Sequence, residues 1–241
     1  MANEIDIGLF SINTDHLVDH EALSKVAIAA EQAGFESLWT AEHVVLPDPQ
    51  VPPSPLPPNA ELLDPAVALA YIAAVTTEIK LGTGIIILPQ RNPLVLAKEL
   101  ASVDVLSNGR VIFGAGFSFD APNVRAEFEA MGAPFEQRIG RMLESIKLCR
   151  ALWGDETVER DGRWKLDGAQ LRPKPVQPGG PPVWGGGSAR ASLQRTGRYF
   201  DGWLPTGPGD AAAWAKDWAV VRQSTSDADR DPNGVTGALY I

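Results

Sequence analysis

Short apolar runs alternate with amphipathic stretches along this chain, and that alternation limits the fold more than any other feature. The runs fall at 5–12, 37–41, 79–88, 111–116, 182–184, 201–205 and 235–241, with helical patterns between them. The run at 79–88 is nearly unbroken and β-rich, as expected of a strand buried on both faces. Such alternation argues for an α/β fold with a parallel sheet flanked by helices, either doubly wound or closed as an eight-stranded barrel. A barrel of this type takes about 250 residues. In these 241 residues an eighth β/α unit is missing from the count.

Capping residues set the expected helix boundaries. Asp15 offers a cap to a helix whose apolar face holds Leu23, Val26, Ala27 and Ala30, closed by Gly34 in the left-handed position. Asp64-Pro65 and Asn92-Pro93 each place a capping side chain before a proline at the first helical position, predicting helices over 66–77 and 93–106. Asn108-Gly109 then turns into the strand at 111–116. Ile139, Met142, Leu143, Ile146, Cys149 and Leu152 form one stripe of a helix over 136–153, where Cys149 reads as core packing. Asp161-Gly162 marks a small hairpin over 157–172, and further helices are expected over 189–199 and 211–223. The proline-rich stretch 47–58 reads as a stiff loop over the strand ends. With no linker in sight, the expectation is one domain over 1–241 carrying a hairpin insertion near 157–172.

Several functions are excluded early. One cysteine cannot build a disulfide framework or a cysteine metal site, and His16, His20 and His43 lack metal-ligand spacing, so no metal is expected. A net charge of −9 opposes nucleic-acid binding. No apolar run reaches the roughly 18 residues of a membrane span, and the acidic start lacks the basic region of a signal peptide. A soluble cytoplasmic protein without membrane or nucleic-acid partners is the expectation. Gly114-Ala115-Gly116 follows a strand, but the third glycine of a dinucleotide fingerprint would fall at Phe119. There is no Gly-Lys-Ser/Thr phosphate loop, and the segment from Gly116 to Asp120 lacks the closing glycine of a nucleophile elbow.

Three local patterns point to chemistry. Gly185-Gly186-Gly187-Ser188 lies between a strand and a helix, where glycines allow close approach of a ligand and Ser188 is a good N-cap at an anion-binding helix start. The same pattern also describes a tight turn that binds nothing. Trp39-Thr40-Ala41-Glu42-His43 closes the second strand, where a barrel gathers its active-site side chains. Glu42 and His43 would supply a proton acceptor and a group of the type that titrates near neutrality, unless they are a surface pair beside a loop. Gly82-Thr83-Gly84 interrupts a β-branched strand, the mark of a bulge or of close backbone approach.

Taken together, these segments resemble the luciferase-like monooxygenase superfamily, especially its deazaflavin-dependent oxidoreductases. The resemblance rests on LWTAEHVVLP at 38–47, LDP at 63–65, IKLGTG at 79–84 and LPQRNP at 88–93. It continues through LAKELA at 96–101, LSNGR at 106–110, RPKPVQ at 172–177, PVWGGGS at 182–188 and DGWLP at 201–205. It implies a TIM-type β/α barrel holding a flavin-like ring at its C-terminal mouth. Glu42 and His43 then match the family's ring-contacting and proton-handling positions. Thr83, Gly84 and Ile85 match a third-strand bulge where a non-prolyl cis peptide backs the ring. Gly114, Gly116 and Phe117 match the fourth strand end beside the cofactor, and Gly185, Gly186, Gly187 and Ser188 match the phosphate-binding turn.

Two departures stand out. The loop after Gly116 runs Phe117-Ser118-Phe119-Asp120-Ala121-Pro122-Asn123 and lacks the family's Gly-Trp dipeptide. The family also continues beyond 235–241 into an eighth strand and helix, so this chain is expected to be truncated or to cover an open seam by rearrangement or with a partner. The function implied is hydride transfer between coenzyme F-420, a deazaflavin, and a small organic substrate, with a homodimer as the assembly. The alternatives are a reduced-FMN-dependent monooxygenase of the same superfamily and a non-catalytic barrel that binds a ligand or partner.

Overall fold

A computed structural model describes residues 5–54, 56–207 and 209–239. Its strands are β1 (Gly8–Phe10), β2 (Ser37–Thr40), β3 (Lys80–Thr83), β4 (Ile86–Ile87), β5 (Val111–Gly116), β6 (Val158–Arg160), β7 (Leu166–Ala169), β8 (Val183–Gly186), β9 (Gly202–Leu204) and β10 (Thr236–Gly237). The helices are α1 (His20–Gln32), α2 (Pro65–Val75), α3 (Pro93–Leu106), α4 (Pro122–Ala130), α5 (Arg138–Trp153), α6 (Arg190–Tyr199) and α7 (Ala211–Ser226). The main sheet runs β1-β2-β3-β5-β8-β9-β10, with β4 added against β5, and every pairing in it is parallel. Strand order follows chain order without the reversal of a doubly wound sheet. The architecture is therefore an incomplete β/α barrel. Among the described residues, β1 and β10 stand at the two ends of the path. The hairpin expected near 157–172 is the antiparallel pair β6–β7.

The expected caps hold at two helices and move at a third. Asp64 Oδ1 accepts from the Ala66 and Val67 amides at 2.9 and 3.2 Å, and Asn92 Oδ1 accepts from Leu94 at 2.9 Å. Asp15, however, opens a short 3-10 turn over Asp15–Val18, and Asp19 caps α1 through the Ala22 amide. The helix expected from 136 begins at Arg138, after a 3-10 turn over Phe135–Gln137. The single strand expected over 79–88 is split into β3 and β4 by a cis peptide between Gly84 and Ile85. Helix α4 takes in the end of the loop read over Phe117–Asn123 and residues after it to which the sequence reading gave no element. The last strand spans just Thr236–Gly237, and residues 240–241 of its expected range lie outside the described residues.

The main core sits between the sheet and its helices. Leu38, Leu81, Phe113 and Val183 meet Leu69, Ile72, Leu96, Leu100, Ile146 and Cys149 there. Cys149 is fully buried, its thiol pushed up to about 12 by burial, and it donates to the Pro93 carbonyl at 3.5 Å, in keeping with a packing role. Arg110 ties the far end of this layer with five hydrogen bonds, to Ser107 O, Thr76 Oγ1, Ile79 O, Ala73 O and Thr76 O. Among the described residues no helix is long and apolar enough to cross a membrane.

The C-terminal part packs differently. Trp203, Trp214 and Trp218 stack with ring centroids 5.6–6.3 Å apart, and Trp214 Nε1 donates to Ala238 O at 2.6 Å, so α7 holds β10 in place. Helices α6 and α7 cross tightly at Gly197, where an added Cβ would lie 2.4 Å from the Val221 carbonyl oxygen. That obstacle is backbone and cannot swing aside. Gly197→Ala is expected to destabilise the chain by about 1–3 kcal/mol through overpacking. Equilibrium urea unfolding reads the change, and an unchanged midpoint would contradict this close crossing.

Candidate functional site

The residues singled out from sequence gather at the C-terminal ends of β2, β3, β5 and β8. The cis Gly84–Ile85 peptide lies where the family resemblance placed it. Just before it, the Gly84 amide donates to Thr40 O at 2.9 Å, and Thr83 Oγ1 donates to Gly114 O at 2.9 Å. The Thr83 hydroxyl is thus engaged within the sheet. A Cβ on Gly114 would lie 1.8 Å from the Thr83 carbonyl oxygen, so the backbones of β3 and β5 require glycine there.

The side chain of Ile85 explains two further glycines. A Cβ on Gly116 or Gly186 would meet Ile85 Cδ1 at 2.0 or 2.3 Å. Packing against Ile85 thus also shapes these two positions. Ile85 belongs to an apolar cluster with Phe10, Trp39, Ile112, Trp184 and Leu204. Alternation along each strand places this cluster on the face opposite the main core. Trp39 and Trp184 stand 5.1 Å apart between centroids. The result is an aromatic floor with a half-buried isoleucine at the bulge.

Glu42 is committed to an ion pair. Its carboxylate accepts from the Ile87 amide, from Arg91 Nε at 2.6 Å and from Arg91 Nη2, with its side chain only 1% exposed. Arg91 also reaches Asp64 Oδ2 at 2.8 Å, linking the site to the cap of α2. Burial pushes the Glu42 carboxyl up, against the opposing pull of Arg91 and the Ile87 amide. The expected free proton acceptor is instead an anchor for the strand after the bulge.

His43 has a partner that the sequence reading missed. Its Nδ1 lies 3.2 Å from Glu127 Oε2, while Glu127 Oε1 accepts the Val44 amide at 2.9 Å. Glu127 comes from α4 and is buried. Burial works to raise its carboxyl, but the bond to His43, the His43 charge and the Val44 amide outweigh that and hold it below the usual range. His43 keeps 21% of its side chain accessible and lines a cleft of about 410 Å³ together with Leu62, Asp64, Arg91, Glu99 and Met131.

The glycine turn also differs from its sequence reading. Gly185 and Gly186 belong to β8, paired with β9, and Gly187 makes the turn at φ 103. Its amide donates to Leu204 O at 3.2 Å and its carbonyl accepts from Trp203 Nε1 at 2.9 Å. Ser188 does not cap the helix. Its hydroxyl accepts from the Thr206 amide at 3.2 Å, and Ala189 sits at the N-cap with no side-chain bond. The first turn of α6 is thereby left to an acceptor from outside it.

Behind this turn lies Arg195, a second residue the sequence reading missed. Its guanidinium stands 5.0 Å from the centroid of the Phe117 ring, and its Nη1 is buried without a hydrogen-bond partner. Burial lowers its pKa from the ordinary arginine value. The cavity between Arg195, Phe117, Gly116 and Gly186 is about 10 Å³, room for roughly one water. Among the described residues no three His, Cys, Asp or Glu side chains could together hold a metal.

Comparison with known proteins supports the same frame. The family model for luciferase-like monooxygenases matches residues 12–241. An uncharacterised Mycobacterium tuberculosis protein is 31% identical over 208 residues, 83% of this chain and 71% of that protein. The F420-dependent glucose-6-phosphate dehydrogenase of Amycolatopsis mediterranei is 32% identical over 225 residues, 91% of this chain and 63% of that enzyme. The coenzyme F420-dependent tetrahydromethanopterin reductase of Methanopyrus kandleri superposes with a TM-score of 0.77 at 22% identity, covering 98% of this chain and 65% of that one. The chain thus spans less than two thirds of the last two proteins.

Proposed function

The chain belongs to the luciferase-like monooxygenase family, and on that premise we propose that it is an oxidoreductase using coenzyme F-420 with a small organic substrate. The observation that carries the cofactor site is the unpartnered, buried Nη1 of Arg195 behind a helix start with no side-chain cap. A cation and free amide groups at one place form an anion site, and coenzyme F-420 and FMN both carry phosphate. The aromatic floor and the Ile85 bulge fit the flat ring of either group. Relatives that use F420, such as the Amycolatopsis mediterranei dehydrogenase, favour the deazaflavin.

In this reading the turn at Gly187 and Ser188 holds the phosphate, with the Arg195 guanidinium behind it supplying positive charge. Gly84, Ile85, Phe117 and the backbones at Gly114 and Gly116 border the ring, with Thr83, Gly185 and Gly186 supporting that surface. When bound, a deazaflavin supplies a carbon centre that carries hydride and activates oxygen poorly. The chain's own part is to orient the ring, exclude water with Trp39 and Trp184, and move a proton at His43. Glu42 fixes the strand that carries the bulge. A homodimer belongs to the same proposal, supported by exposed Val67 and Tyr71 on α2 and exposed Leu106 on α3.

The test is titration of the purified chain with oxidised and reduced coenzyme F-420 and with FMN, followed by fluorescence. Tight binding of coenzyme F-420, weakened about 10- to 100-fold by Arg195→Met, is the expected result, since a bond to a charged group contributes about 1.5–3 kcal/mol. Binding of FMN alone would replace this reading with a reduced-FMN monooxygenase. Binding of neither would leave a barrel without redox function.

A further inference from the structure

We propose that Glu127 is a positioning residue that fixes the His43 ring in one tautomer, making Nε2 the atom that exchanges a proton with the substrate. The proposal rests on the reading of His43 as the proton-handling group and adds which of its nitrogens works and what sets it. An ionised carboxylate only accepts hydrogen bonds. At 3.2 Å from Glu127 Oε2, the Nδ1 of His43 must therefore carry its proton whether the ring is neutral or charged. The neutral ring then keeps its lone pair on Nε2. The other oxygen of the same carboxylate accepts the amide of the next residue, Val44, so one buried group holds both the ring and the backbone beside it.

Two observations set this pair apart from a surface ion pair. Glu127 is only 3% exposed, and its charge is favoured there by His43 and the Val44 amide. His43 lines the 410 Å³ cleft with 21% of its side chain accessible, and with Nδ1 engaged by Glu127 the ring nitrogen outside that bond is Nε2. The other charged groups lining that cleft are Asp64, Arg91 and Glu99, of which Asp64 and Arg91 are paired with each other. The separation of roles is that of a base oriented by a third group, with the carboxylate touching neither substrate nor cofactor.

The first measurement needs no cofactor or turnover. Long-range ¹H–¹⁵N spectra of the imidazoles, with His43 identified through His43→Gln, report the tautomer of each of the three histidines. Wild type and Glu127→Asp should show neutral His43 protonated at Nδ1, and Glu127→Gln should shift it toward the Nε2–H form. Wild-type His43 protonated at Nε2 would overturn the proposal. The second measurement is turnover with coenzyme F-420 and substrate, alongside thermal melting. Glu127→Gln should lower kcat at least about tenfold, up to the roughly 10²–10⁴-fold of a full acid–base contribution, with KM and melting temperature little changed. Glu127→Asp should restore part of the rate and guards against a fold defect in the amide variant. If His43→Ala is slow while Glu127→Gln is as fast as wild type, the proposal alone fails. If His43→Ala turns over at full rate, the reading of His43 fails and the proposal with it.

Discussion

Arg91→Met unfolds with about 3–5 kcal/mol less free energy than the parent chain at neutral pH, the cost of breaking one side of a buried ion pair. Glu42 would keep its bond from the Ile87 amide but lose both bonds from the guanidinium, in a site where its side chain is 1% exposed. Asp64 would lose its partner too, though it retains the cap of α2. The pH dependence has a definite sign. Burial holds the folded-state pKa of Glu42 above its ordinary value, so the folded chain binds this proton more tightly than the unfolded chain. Stability from this group is full below the unfolded pKa and declines as pH rises toward the folded one. Without Arg91 only the Ile87 amide opposes the upward push, and the decline reaches higher pH. Urea unfolding at several pH values from about 5 to 8 measures it. A loss below about 1 kcal/mol across that range would show that the pair contributes no more than a surface bridge.

His43→Ala is expected to lower turnover by about a hundredfold or more while leaving the affinity for coenzyme F-420 little changed, because a positioned acid–base group acts on the transition state. The geometry separates the two effects. His43 lines the cleft beside α2 and α3, whereas the anion site proposed at Gly187 and Ser188 follows β8, on the opposite side of β5 in the sheet order. Steady-state rates and fluorescence titration on the same preparations give both numbers. An unchanged rate would return His43 to a structural role, holding the loop after β2 through Glu127.

The strands and most helix starts were legible because their signals are local. Asp64-Pro65 and Asn92-Pro93 carry the caps their sequence announces, and the apolar runs pair as parallel strands in chain order. What escaped was set by contacts distant in sequence. Helix α4 begins at Pro122 after Ala121, whose methyl group cannot cap it, and its nine residues hold only Val124 and Phe128 as a large apolar face. Missing that helix hid Glu127, the partner of His43. Arg195 looks like any surface arginine of α6, although the buried Ser192 and Thr196 beside it mark the face turned toward the sheet. The reading of Ser188 as a cap failed because β8 runs on to Gly186 in register with Leu204, and the N-cap falls one residue later, at Ala189, with the helix beginning at Arg190.

The pairing of bulky side chains with glycines on the aromatic floor also restricts how this surface can change over generations. Gly82 lies against the Trp39 ring, Gly202 against Trp184, and Gly116 and Gly186 against Ile85, each with an added Cβ at 2.0–2.4 Å from its partner. At Gly82 and Gly202, which meet indole rings, a larger residue is tolerated only after its partner has shrunk, and a smaller partner leaves a void until the glycine has grown. Each intermediate is worse than either end, which is sign epistasis between positions far apart in sequence. Related barrels should therefore differ in this floor by linked sets of substitutions, with the size of the recess altered in steps.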